Sequence, residues 1–175
     1  ILLPYNIYLT HIPESFTDFP IHWHDEIEII KVVTGQARYV VDFKEYIINE
    51  GDILIIPPSS LHYFEQYNDE HFLGETYIFD QKLIDGNTID TCSTKYISPI
   101  FNNDILLPIH IHSATEHSKT LGDILSNILS DHNSHTMAYE LKIKIGFLEF
   151  INYFYSNDYY IVNKTHDISN IRTTN

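Results

Sequence analysis

The sequence predicts a mainly β fold with C-terminal helices, organised as one domain. A small β-barrel is expected over residues 5–112, an antiparallel helix pair over 113–158, and the start of an interdomain linker over 159–175. Two observations predict it. Up to Asp80, short runs rich in β-branched and aromatic residues alternate with Gly, Pro and Asn/Asp turn signals at the spacing of a sandwich or small barrel. Beyond Ser113 the apolar residues recur at helical spacing instead. A chain of 175 residues that is 43% apolar and 14% aromatic also suits one domain with a real core.

Taken in order, residues 5–10 (YNIYLT) read as an opening strand and 11–20 as a polar loop punctuated by prolines. The run 26–33 is a strand, Thr34-Gly35 is read as a turn, 36–43 as the returning strand and 44–49 as the next. Glu50-Gly51-Asp52 marks a tight turn before the apolar strand 53–56. Pro57-Pro58 ends that strand, because neither proline can donate to a ladder. Strands at 61–67 and 71–80 complete the β set. Residues 81–85 suit one helical turn, and 86–108 has no readable period, with Tyr96, Ile97, Ile100 and Phe101 expected as plugs against the barrel.

Ser113-Ala-Thr-Glu116 has the form of a capping box, and Leu121, Ile124, Leu125, Ile128 and Leu129 then share one helical face. A second helix over 136–157 carries Leu141, Ile145, Leu148 and Tyr155 on one stripe and Ile143, Phe147, Phe150 and Phe154 on another. A helix apolar on two sides needs two neighbours. One is the first helix, antiparallel across the SDHNSH loop; the other is the barrel or a second subunit.

Bulk charge excludes some function classes. Ten Lys and Arg against 24 Asp and Glu leave a net charge of −14, which repels a phosphate backbone, so this chain is not expected to grip DNA itself. No phosphate-cradling glycine loop or aromatic-basic stripe supports nucleotide or nucleic-acid binding. The single cysteine, Cys92, points to a reducing, cytoplasmic setting. No apolar run approaches the roughly 18 residues that span a bilayer, so no membrane partner is expected.

The chemistry concentrates in IHWHDEIEII and in GDILIIPPSSLHYF. On an extended strand His22 and His24 share a face, with Trp23 opposite as a packing residue. A straight strand would carry Glu28 roughly 13 Å further on, so a turn at Asp25-Glu26 is required for it to join them. With His62 this makes three imidazoles and one carboxylate, a donor set suited to zinc, iron, nickel or manganese. Without a metal, the same four groups are polar side chains in a barrel, where a ligand's hydroxyls would find partners. Phe64 and Gln66 share parity with His62 and are the next pocket residues. Arg38 either points inward, where its fork would hold a carboxylate or sugar hydroxyl, or is solvated. His110 and His112 read as loop or surface, and His71, His117, His132 and His135 as surface. Ser59-Ser60 reads as turn chemistry rather than as a nucleophile.

These motifs resemble the cupin family. His22, His24, Glu28 and Gly35 fit its first motif, and Gly51, Pro57 and His62 its second, with Ser59 where that motif has glycine and Gln66 where it has asparagine. Within cupins the wording is similar to the N-terminal sensor domain of AraC-type transcription regulators. The resemblance implies a double-stranded β-helix, or jelly roll, that is not an enzyme and needs no cofactor, a divalent transition metal being optional. It implies an effector-binding and dimerisation domain sensing a small polar metabolite, a sugar first, and controlling a helix-turn-helix region outside this chain. The homodimer contact is expected through Leu121, Leu125, Ile128, Phe147, Phe150 and Phe154, and residues 1–10 and the helix pair are the expected movers. The alternative is a metal-dependent cupin enzyme, a dioxygenase or isomerase.

Overall fold

The computed structural model describes residues 3–15, 17–86 and 90–164. Ten strands and four α-helices follow one another as β1 (Tyr5–Ile12), β2 (Asp18–His22), β3 (Ile27–Val41), β4 (Lys44–Asn49), β5 (Ile53–Ile56), β6 (His62–Gln66), β7 (Phe72–Phe79), α1 (Gln81–Ile84), α2 (Ser98–Phe101), β8 (Ile105–Leu106), β9 (His110–Ile111), α3 (Glu116–Ser134), α4 (Tyr139–Ser156) and β10 (Ile161–Val162). A π-helical turn, Ser93–Ile97, runs straight into α2.

One strand organises the β part. The first half of β3 pairs with β5 and β7, and β7 carries β1 on its far side. Its second half pairs with β4 and β6, and β6 carries β2. Thr34-Gly35 is therefore not a hairpin turn, as its sequence suggested, but the bend at which a single 15-residue strand crosses between the two halves. Gly35 has φ +76°, and a Cβ there would meet the His71 carbonyl oxygen at 1.7 Å, so only glycine fits. The reversal comes later, at Asp42-Phe43, whose φ values of 46° and 67° suit a two-residue hairpin loop. The polar stretch 11–20 is also more ordered than its composition indicated, because its ends are absorbed into β1 and β2.

Alternation along β3 separates two cores. Ile30 and Val32 point into the barrel with Leu54, Tyr39 and Phe72, while Ile27 and Ile29 point outward under the helices. A strand buried on both faces reads as the unbroken run IEII rather than as an alternation. On the outer face Phe147 meets Phe79 at a ring separation of 4.4 Å, and Leu121, Leu125 and Phe150 join the same cluster. Gly146 lets the helices close, since a Cβ there would lie 2.4 Å from Ile128 Cγ1.

The helix pair departs from expectation at its start and at its faces. Thr115, not Ser113, caps α3, its Oγ1 accepting from the Ser118 amide at 3.2 Å, while Ser113 donates its own amide to Asp52. Leu121, Leu125, Ile128, Phe147, Phe150 and Phe154, expected at a dimer contact, are all at most 1% exposed inside the chain's own core. They hold the helices to the barrel and are not available to a second subunit. The uncovered apolar residues of α4 are Leu141 and Ile145, 59% and 53% exposed.

Residues 161–164, expected as the start of a linker, are held to the rest of the chain. β10 pairs with β8, and the Asn163 side chain donates to the Asn103 carbonyl at 2.9 Å, while the Asn103 side chain donates to the Pro58 carbonyl at 3.2 Å. Residues 165–175 lie outside the described residues. Among the described residues, no helix is long and apolar enough to cross a membrane.

Two substitutions separate core from turn. Phe147→Ala empties a fully buried site and is expected to cost about 3–5 kcal/mol in urea unfolding. Phe43→Gly, at positive φ on an exposed hairpin, is expected to leave stability unchanged or raise it by up to about 1 kcal/mol.

Candidate functional site

The backbone brings His22, His24, Glu28 and His62 to one end of the barrel. The chain bends at residues 25–26, as the spacing required, and returns Glu28 to within 3.0 Å of His24 (Oε2 to Nε2). β2 pairs His22 opposite His62 on β6, with ring centroids 4.1 Å apart. One ligand atom from each of the four residues lies within 4.8 Å of the others.

Each imidazole is pinned by a neighbouring backbone carbonyl. His22 Nδ1 bonds the Pro20 oxygen at 2.9 Å, His24 Nδ1 the Glu26 oxygen at 3.2 Å, and His62 Nδ1 the Ser60 oxygen at 2.8 Å. A carbonyl only accepts, so every Nδ1 must carry a proton. The three Nε2 atoms are left for the centre. His24 Nε2 donates to Glu28, which makes His24 an imidazolium, and that hydrogen bond holds its pKa above the ordinary value despite burial. Burial lowers His22. Burial pushes the Glu28 carboxyl up, but the His24 bond and the neighbouring His62 outweigh it and hold the group at about 2.

His62 Nε2 is different. It is buried, lies 3.3 Å from Glu28 Oε2 and makes no hydrogen bond of proper geometry. A buried ring nitrogen beside a carboxylate with no hydrogen bond of its own is satisfied by a group that bridges the two. The donor set therefore fits a divalent metal, and equally a ligand hydroxyl.

The turn that delivers His62 carries its own adjustment. Ser59 has φ +62°, at the position where the second motif has glycine. Its amide donates to the His24 carbonyl at 2.7 Å and its hydroxyl to Asp25 at 2.8 Å, so the serine ties the two motifs together while occupying a conformation that favours glycine. This is turn chemistry, as expected.

Other expected residues divide. Phe64 lies in the barrel beside His62, stacked between Phe19 at 5.7 Å and Tyr39 at 4.9 Å. Gln66 shares its face but pairs with Ala37 at the other end of β6, and its amide donates to the Glu70 carbonyl. It belongs away from the cluster. Arg38 does not point inward: Ala37 and Tyr39 take the interior parity, and its guanidinium binds Glu45 and Glu65 on the flanking strands. Trp23 packs against little, being 61% exposed. Tyr8 shares parity with buried Thr10 and Ile12 but is itself 47% exposed; partial desolvation together with the charge of Glu28 raises its hydroxyl pKa. His117 and His132 are bonded to Tyr153 and Tyr5 rather than freely solvated, and His110 is bonded to Asp52.

The His24–Glu28 pair sets a pH window. A depressed carboxylate stabilises above its unfolded value of 4.5 and loses that contribution as pH falls toward 2; a raised histidine stabilises below 6.5 and loses it as pH rises through the folded value. In metal-free protein, the stability difference between wild type and Glu28→Gln is expected to peak between pH 4.5 and 6.5 and to shrink on both sides in urea titrations. A difference independent of pH would refute the pairing.

A family model described as an AraC-like ligand binding domain matches residues 6–150. Over 65 residues the chain is 34% identical to the uncharacterized HTH-type transcriptional regulator YdeC of Bacillus subtilis (strain 168), a match covering 37% of this chain and 22% of that protein. Solved structures to which it is similar include a cupin protein from Bacteroides fragilis, at 20% identity and TM-score 0.43 over 50% of this chain and 75% of that one. Another is a Cupin 2 conserved barrel domain protein from Salinispora arenicola, at 27% identity and TM-score 0.40 over 44% and 64%. With a family match that runs from β1 through most of α4 and takes in His22, His24, Glu28 and His62, this chain belongs to the AraC-like ligand binding domain family.

Proposed function

We propose that this chain is the effector-binding and dimerisation domain of a transcription regulator, and that it takes a small polar metabolite, a sugar first, at the His22–His24–Glu28–His62 end of the barrel. The observation that carries this is the convergence of three imidazole Nε2 atoms on a buried carboxylate. Sugar hydroxyls both donate and accept, which suits Glu28 and His62 Nε2 together, and the Phe19–Phe64 stack offers apolar faces alongside. The relative named as an HTH-type regulator supports a DNA-binding region outside this chain, which the acidic charge here would not replace. An effector acts on that region only through unequal affinity for two arrangements of the dimer.

A second reading, a metal-dependent cupin enzyme, is favoured by the unpartnered His62 Nε2. His22, His24, Glu28 and His62 would hold the ion. When bound, it would supply Lewis-acid polarisation of a coordinated oxygen. Elemental analysis of untagged protein beside His24→Ala separates the readings: stoichiometric metal lost in the variant, with oxygen consumption, supports the enzyme, and its absence from both supports the effector site.

Because the buried helix stripe is committed, the homodimer contact belongs to Leu141 and Ile145 on α4, beside a groove of about 300 Å³ that includes Ile145, Gly146 and Lys142. Ile145→Glu is expected to give monomers in sedimentation with stability within about 0.5 kcal/mol of wild type. In a monosaccharide screen by thermal shift, the sugar that stabilises wild type is expected to bind about tenfold or more weakly to His62→Ala, consistent with losing one buried, charge-linked hydrogen bond. It should bind unchanged to Arg38→Ala. If no sugar stabilises the protein and none alters DNA affinity of the full-length regulator, the sugar assignment fails.

A further inference from the structure

We propose that Asp52, His110 and His112 form a second divalent-metal site, for a borderline cation such as zinc, at the opposite end of β5 from the histidine cluster. Asp52 immediately precedes β5, whereas the turn leading to His62 follows it. The proposal does not rest on the reading of that first cluster.

The geometry comes from two segments. His110 and His112 are an i, i+2 pair at the end of the barrel, with ring centroids 4.0 Å apart. Asp52 comes from the Gly51-Asp52 turn, 58 residues earlier, and is almost fully buried. His110 Nε2 sits 2.8 Å from Asp52 Oδ2, and one ligand atom from each of the three residues lies within 4.8 Å of the others.

The carboxylate is oriented in the way that supported metal ligands are. The Ser113 amide donates to Oδ1 at 2.8 Å and the Asn49 amide to Oδ2 at 3.0 Å, which fixes its plane without depending on the histidines. A cation entering between Asp52 and His110 takes the place of the shared proton, which leaves to solvent. His112 is exposed, so the remaining coordination positions face water. Two imidazoles with one carboxylate select a borderline cation over magnesium or calcium, which require a shell of oxygens. The chain's charge of −14 also concentrates cations around it.

The position gives the ion a job. The Gly51 carbonyl accepts from the Ser118 hydroxyl of α3 at 2.6 Å, and Ser113 lies just before that helix. An ion on Asp52, His110 and His112 clamps the barrel turn to the segment that launches the helix pair.

The test is zinc chloride titrated calorimetrically into untagged chain, with zinc counted after desalting. His24→Ala/His62→Ala, which removes barrel donors, is expected to keep one zinc per chain. Adding His112→Ala should weaken that zinc at least tenfold and abolish its shift in melting temperature. Should the double variant not fold, His112→Ala alone must lower the zinc bound by wild type by one equivalent. His135→Ala, an exposed histidine outside the site, must change nothing. Zinc binding unaffected by His112→Ala, or lost equally in His135→Ala, overturns the proposal.

Discussion

A buried carboxylate is the constraint on which the histidine end of this barrel depends. Glu28 sits at the head of the central strand, 5% exposed, where an unpaired charge costs several kcal/mol. The bend at residues 25–26 exists to bring His24 back over it, and the three backbone carbonyls that pin the imidazoles decide which nitrogen each ring turns inward. Ser59 tolerates its positive φ because its amide and hydroxyl hold His24 and Asp25 in place. The chemistry of the site is thus a property of backbone turns as much as of the side chains they present.

The second constraint is mechanical. β3 serves two sheets, and it changes partners at Gly35, where a side chain would collide with the His71 carbonyl. Everything hung on the first half of β3 faces the helices on one side and the barrel on the other. That dual burial explains why the helices cannot be lifted off to make a dimer: Phe147 and Phe150 complete the outer core of the same strands whose inner faces line the barrel.

Much of this was legible in the sequence. The strand 53–56 followed from its apolar run and proline chemistry, the bend at 25–26 from side-chain period, and the four-residue cluster from motif spacing and its resemblance to the cupin motifs. What escaped had physical reasons. A glycine that bends a strand and a glycine that turns a hairpin look alike until the partner strands are known. A helix stripe says that a face is buried, not against what, and the residues expected at a dimer contact are buried in the chain's own core. Arg38 was open to either parity until Ala37 and Tyr39 took the interior. His110 waited for a carboxylate that arrived from Asp52 across the fold, a distance in sequence that no local spacing records.

The hydrogen bonds that run from the Pro58 carbonyl through Asn103 to Asn163 have a consequence for the outgoing chain. The turn ahead of His62 and residues 161–164 are thereby fastened to one another, with the Asn163 amide also held by the Asp104 carbonyl and β10 paired to β8. Whatever displaces that turn strains the hydrogen bonds at residues 161–164 as well as moving His62, by a route that does not pass through the helices.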